Sequence, residues 1–283
     1  MSKVLITESY LEDIADAIRE KSGGGLTYKP SEMAGAILNI PSGGSGWTSD
    51  GLATNTEPNG AIVLGSSVTE VQPNAFYNRP IMSVSGQNVT KVGSNAFYGC
   101  SITEIKATDF PSLVTVGGSS FAGNVSLQKA FFPLPKGFDS YALDGCSNLE
   151  TVVAPNAHTT GRYLCRNCTK LKAFDMRGDH TAATRVNDHS FINDSVFDTF
   201  VYGGNRLPLL DLNAFDGTPF ASNGTGGTIY VRADMIASFQ ASTNWATLIG
   251  YANNQIKSIE STHTDPTAPI DLTTHYVDGT VIS

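Results

Sequence analysis

The residues of this chain that could do chemistry are four cysteines, five histidines and a scatter of aspartates. Cys165-x-x-Cys168, with His180 and His189 downstream, has half the form of a zinc site, because two thiolates at that spacing can grip one tetrahedral ion. The other half does not fit. Eight residues stand between the two histidines, where a zinc finger uses about three to five. Asp139, Asp144, Asp175, Asp179, Asp188, Asp194 and Asp198 could supply a glycosidase pair, whose carboxyls stand about 5–9.5 Å apart across a cleft. No two of them stand out by spacing, and scattered acids read as a solvated face. Asn223-Gly-Thr-Gly-Gly-Thr228 is glycine-rich but lacks the lysine of a phosphate loop, so it reads as a hairpin loop. The expectation is a non-enzymatic protein with no metal and no cofactor.

What must position these residues is a repeated phrase. It is clearest at Val89-Thr-Lys-Val92, followed by Asn95-Ala96-Phe97-Tyr98-Gly99-Cys100 and Ile102-Thr-Glu-Ile105. An earlier copy reads Val68-Thr-Glu-Val71, Asn74-Ala75-Phe76 and Ile81-Met-Ser-Val84, and later copies follow at Leu113 to Leu127 and Phe138 to Val152. Aligned on the central apolar residue, the phrase gives one column: Phe76, Phe97, Phe121, Leu143, Cys165, Phe191 and Phe215. Successive members are 21, 24, 22, 22, 26 and 24 residues apart. A fixed period in the low twenties marks a solenoid, in which each unit buries its apolar face against its neighbours. Rings at one place in each turn would stack as a ladder, each burial contributing roughly 1.5–3 kcal/mol. Gly99, Gly123, Gly145 and Gly217 follow the column, as a turn with positive φ requires. The β-branched residues beyond them predict one short strand per turn and a narrow parallel sheet along one face. In this frame Cys100, Cys146 and Cys168 share a second column, so the thiols read as buried core groups in different turns rather than ligands or disulfides.

This phrase resembles the BspA-like leucine-rich repeat family over about residues 62–221. The resemblance implies a β-rich leucine-rich-repeat solenoid with a C-terminal cap. Before the solenoid, residues 8–21 place Leu11, Ile14, Ala15 and Ile18 on one face of a helix, with Ser9 and Glu12 as a capping box. A second short helix after Pro30 turns Met33, Ala36, Ile37 and Ile40 inward. Tyr10 to Lys21 followed by Tyr28 to Ala34 is similar to the short N-terminal module of bacteriophage virion proteins. That resemblance implies an anchor or oligomerisation role for Leu11, Ile14, Ile18, Met33 and Ile37.

The expected organisation is a helical anchor at 1–40, a Gly/Ser-rich linker and N-terminal cap at 41–60, the solenoid at 61–221, a C-terminal cap at 222–260 and an extended tail at 261–283. Trp47 is expected to plug the open N-terminal end. A net charge of −8 with no basic run excludes nucleic acid as an expected partner, and no stretch reaches the ~20 apolar residues of a membrane helix. The N-terminus has no secretory leader, and the resemblance of its opening to virion modules implies a protein of the virion, made in the host cytoplasm. The function expected is that of a virion structural protein of tail-fibre or baseplate type. It would bind other virion proteins through the N-terminal helices, as a homo-oligomer, and a host cell-surface glycan or protein through the solenoid. A head fibre or capsid decoration protein and a bacterial BspA-like surface adhesin are the alternatives.

Overall fold

The computed structural model describes residues 60–178, 182–211, 213–221, 226–248 and 255–259. The anchor residues Leu11, Ile14, Ile18, Met33 and Ile37, together with Trp47 and the 261–283 tail, lie outside them. The described chain is a parallel β-solenoid in which each turn carries two short strands and one corner.

One strand ladder begins with β1 (Ala61–Val63) and β3 (Ser83–Ser85), which pair in parallel. It continues as a seven-stranded parallel sheet. The strands are β5 (Glu104–Ile105), β7 (Lys129–Phe131), β8 (Thr151–Val153), β9 (Ala173–Met176), β11 (Thr199–Tyr202), β13 (Thr228–Val231) and β14 (Ile256–Ser258), side by side in that order. The second ladder stacks β2 (Glu70–Val71), β4 (Lys91–Val92) and β6 (Thr115–Val116). Single bridges through Phe138 and Thr159 carry it on to β10 (Arg185–Val186) and β12 (Leu209–Leu210).

The expectation of one strand per turn is therefore corrected to two. The second valine of each Val-x-x-Val pair, such as Val71 and Val92, points inward and is fully buried. Successive turns sit one strand spacing apart, about 4.8 Å, so its backbone always meets a bonding partner in the next turn.

The corner holding the Phe column follows a rule of alternation. The N–H of each column residue donates to the carbonyl just before the next column residue: Phe76 to Ala96, Phe97 to Ser120, Phe121 to Ala142, Leu143 to Leu164, Cys165 to Ser190 and Phe191 to Ala214. The N–H groups between them close local turns, as Tyr77 to Asn74 and Tyr98 to Asn95 do. To send alternate donors in opposite directions the backbone flips to positive φ on both sides of the column. Two residues before it stand Asn74, Asn95, Ser119, Tyr141, Tyr163 and His189, all left-handed. Two residues after it stand Asn78, Gly99, Gly123, Gly145, Asn167, Asn193 and Gly217, also left-handed. At Gly99 an added Cβ would come within 2.1 Å of Asn78 Oδ1, so glycine there answers both φ and space.

Rings stack where the column holds them: Phe76 on Phe97 at 5.2 Å and Phe97 on Phe121 at 5.3 Å, nearly parallel. Phe191 meets Phe215 at 5.1 Å with a 32° tilt. Between these runs Leu143 and Cys165 take the column positions, and Phe132, Phe138 and Phe174 from outside the column fill the core instead. Phe76 departs from the expected full burial. It is half-buried, because it sits in the first turn and Phe97 is its described stacking neighbour.

A further column lies three residues beyond the ladder. Cys100, Cys146 and Cys168 donate from Sγ to the carbonyls of Phe76, Phe121 and Leu143 at 3.2–3.3 Å. Asn124 donates from Nδ2 to Phe97 in the same way. Burial pushes the Cys100 thiol up to about 11 and Cys146 and Cys168 well above their usual range. This keeps them as S–H donors. Asp194 takes the next place in the column, and its Oδ2 is buried without a hydrogen-bond partner.

The last turns are closed by a 3-10 turn (Ala233–Met235), helix α1 (Ile236–Ala241) and helix α2 (Thr243–Leu248). Trp245 is buried against Phe239 at 4.9 Å and its Nε1 donates to the Pro208 carbonyl at 3.0 Å. Asn244 donates to the Leu210 carbonyl at 3.1 Å. These two side chains occupy the free edge of β12, which an end turn otherwise leaves wet.

Candidate recognition face

Left-handed backbone is unfavourable for a bulky side chain, and a ring held there points to a purpose beyond packing. In the early turns the position before the column is filled by Asn74, Asn95 and Ser119, small polar residues that tolerate it. In the later turns the same position holds Tyr141, Tyr163 and His189, at φ of 65°, 55° and 53°. Their rings stack outside the core. Tyr141 lies 4.9 Å from Tyr163 at 7°, and Tyr163 lies 5.1 Å from His189 at 17°.

Arginines cover these rings. Arg166 lies over Tyr141 at 5.1 Å and Tyr163 at 5.4 Å, and Arg162 over Tyr163 at 5.7 Å. Each guanidinium is also aimed by a carboxylate. Arg166 grips Asp144 with two bonds of 2.9 and 2.6 Å. Arg162 reaches Asp188 at 2.9 Å, and Arg185 grips Asp211 at 3.2 and 2.7 Å. Such two-point pairs fix orientation as well as charge. His189 Nδ1 stands 2.7 Å from Asp188 Oδ1. Contact with His189, then Arg162, holds Asp188 below the usual carboxylate range.

Beside this stack a groove of about 670 Å³ opens between the second ladder and the cap. Arg162, Arg185, Asp188 and Asp211 supply its charges, Asn187, Asn213 and Asn244 its amides, and Leu210 an apolar patch. The arrangement offers donors and acceptors in alternation and shares Arg162 and Asp188 with the ring stack. That suits recognition of a polar surface. The carboxyls with raised proton affinity lie elsewhere. Burial lifts Asp194 to about 10 in the core column and Asp175 to about 6 despite Arg177 beside it.

Among the residues singled out in the sequence, Asp144, Asp188 and His189 are brought together on this face. Asp139 and Asp198 are exposed. Cys165 and Cys168 are fully buried. Asp179 and His180 lie outside the described residues. No group of three or more potential metal ligands forms among the described residues. Sequence reading missed Tyr141, Tyr163, Arg162, Arg166 and Arg185. A signal was present, since Tyr141, Tyr163 and His189 keep a constant offset of two from Leu143, Cys165 and Phe191.

The fold is that of a leucine-rich-repeat solenoid with a polar, ring-lined lateral face. Residues 61–197 match, in six copies, the family described as BspA type Leucine rich repeat region. That match begins after the 8–40 segment and does not reach it. No curated protein matches the chain. Among solved structures, a leucine-rich repeat protein from Eubacterium ventriosum is 23% identical, with a TM-score of 0.48 over 59% of this chain and 44% of that one. A leucine rich cell surface protein from Faecalibacterium prausnitzii is 16% identical, with a TM-score of 0.35 over 70% and 59%. The pneumococcal vaccine antigen PcpA is 11% identical, with a TM-score of 0.23 over 70% and 77%. The chain thus spans less than two thirds of the first two.

Proposed function

We propose that this chain is a non-catalytic, adhesin-like recognition protein whose solenoid binds a cell-surface glycan or protein through the Tyr141–Tyr163–His189 face and its groove. The observation that carries this reading is the placement of three rings in a backbone conformation that disfavours them, each aligned for contact outside the core. The BspA-type repeat match supports it. A second proposal concerns attachment. The amphipathic spacing of Leu11, Ile14, Ile18, Met33 and Ile37 favours residues 1–40 as the part that fixes the protein to a larger assembly, a virion or a bacterial surface. Recovery in purified virions or in the cell envelope separates these sites. Normal incorporation after deletion of residues 1–40 would overturn the anchor.

The recognition reading is tested with Tyr141→Asn and Tyr163→Asn. Asparagine already occupies this column at Asn74 and Asn95, so the variants should fold with stability changed by less than about 1 kcal/mol. Tyrosine and arginine dominate binding energy at interfaces, so binding should weaken by about tenfold or more for each ring removed. The readout is binding of full-length protein to a glycan array and to intact cells. Binding that is equal in wild type and both variants would overturn the assignment, and so would absence of binding by the wild type to any surface tested.

A further inference from the structure

The corner that carries Tyr141, Tyr163 and His189 is held in register from turn to turn. The N–H two residues past the Phe column donates to the carbonyl one residue past it in the next turn: Asn78 to Tyr98, Gly99 to Ala122, Gly123 to Asp144 and Gly145 to Arg166. Tyr77, Tyr98, Ala122, Asp144 and Arg166 therefore stand in one line. Arg166 belongs to that line and lies over Tyr141 and Tyr163, so the line and the ring stack are adjacent columns of one strip. In the first two turns this strip carries a second stack. Tyr77 and Tyr98 lie 4.9 Å apart at 8°, and Tyr77 is 45% exposed. A ring so exposed adds little to the core. Asn74 and Asn95 fill the left-handed position beside these rings that Tyr141 and Tyr163 fill later. The third turn, with Ser119 and Ala122 at the two positions, puts no ring on the strip.

We infer that Tyr77 and Tyr98 form a second platform of this strip, and that the ligand is a linear, uncharged glycan lying along the solenoid axis across both platforms. The inference rests on the recognition reading above and adds the class of ligand to it. Successive turns repeat at about 4.8 Å, so the strip offers rings, hydroxyls and amides at a constant spacing. A repeating polymer meets such a surface unit by unit, whereas a folded protein partner presents no such period. An extended β-linked glycan advances by nearly one strand spacing per sugar. Each sugar has an apolar C–H face for a ring and hydroxyls for an amide or an aimed guanidinium. Charge selects among glycans. Arg162, Arg166 and Arg185 are matched one to one by Asp188, Asp144 and Asp211, and Arg79 and Asp216 stand towards opposite ends of the strip, one of each sign. Paired charges leave no net field to draw in an acidic chain. From Tyr77 to His189 is five turns, about 24 Å. At about one sugar per turn, a chain of about six sugars reaches both platforms and a disaccharide reaches only one.

Calorimetry on the full-length protein tests this with linear β-linked oligomers of glucose, mannose and N-acetylglucosamine, from disaccharide to octasaccharide, beside uronate and sulfated chains. Affinity for a neutral chain should rise about tenfold or more between disaccharide and hexasaccharide, because the second platform is met at high effective concentration. Added salt should change it by less than about twofold, since no unpaired charge is being screened. Tyr77→Ala and Tyr98→Ala should bring the hexasaccharide down to the affinity of the disaccharide. Alanine already occupies this line at Ala122, and retained circular dichroism shows that each variant folds. Absence of binding to every neutral chain, affinity independent of length, or preference for the charged chains overturns the proposal. Loss of binding with Tyr141→Asn but not with Tyr98→Ala overturns it and leaves the recognition reading standing. So does binding to cells that Tyr141→Asn weakens while no glycan binds, because the partner is then a protein.

Discussion

Truncating Phe97 to alanine is expected to cost about 3–5 kcal/mol. Its ring is fully buried and held between Phe76 at 5.2 Å and Phe121 at 5.3 Å, with Phe110 at 6.4 Å on its edge. Removing it opens a cavity that cannot collapse, because the backbone above and below is tied by the hydrogen bonds of Phe76 and Phe97 to the next turns. In a stack stabilised by nearest neighbours, a loss of that size at one turn weakens two interfaces. It is also a large part of the roughly 5–15 kcal/mol that holds a typical domain. Phe76→Ala provides the comparison. Half-buried in the first turn, it should cost about 1–2 kcal/mol, in line with the apolar area it has to lose. Urea denaturation checks both. An unchanged midpoint for Phe97→Ala, or equal losses at the two positions, would falsify the ladder as the source of stability.

Asp194→Asn is expected to stabilise the protein near pH 8 by more than about 1.4 kcal/mol, the worth of one pKa unit, because the wild type has to take up a proton to bury this carboxyl. Every other described polar member of this column from Cys100 to Cys168 donates to a carbonyl one turn back. Asp194 makes no such bond. Its Oδ1 accepts from the Cys168 N–H at 2.8 Å, and its Oδ2 has no partner. Burial lifts its pKa to about 10, against about 3.9 in an unfolded chain. Between those values the native state holds a proton that the unfolded state has released, so stability must fall as pH rises. The contribution is fully present below about pH 4 and is lost progressively towards pH 10. Asparagine does not titrate and brings its own N–H. The gain should therefore be large at pH 8 and small at pH 4. Parallel pH profiles for the two proteins would show that the carboxyl is not the cause.

The period was legible in the sequence because each turn must present the same shapes to its neighbours, and Phe97, Phe121, Phe191 and Phe215 say so directly. The second strand ladder was less legible. Its strands are two residues long, as at Lys91–Val92 and Thr115–Val116, and two residues carry no alternation to read. The candidate recognition face was hidden for a different reason. Tyr163 and Arg166 are separated by Leu164 and Cys165, which point into the core, and their true neighbours Tyr141, Asp144 and His189 lie a full turn away. Only the repeat, unrolled and aligned, brings them side by side. Phe76 was misjudged because periodicity fixes a residue's column and not its depth of burial in each turn.

The alternating donors of the Phe corner also make the protein a particular kind of spring. The bonds from Phe97 to Ser120 and from Phe121 to Ala142 run from turn to turn, parallel to the solenoid axis, as do the ladder bonds of both strand sets. Tension along that axis loads them one turn at a time, like the teeth of a zip, and not all at once as in a sheared sheet. Each turn that gives way frees one repeat, about 75–90 Å of extended chain at about 3.5 Å per residue. Under such load the stack yields by stepwise lengthening, and the turns that remain keep their faces intact.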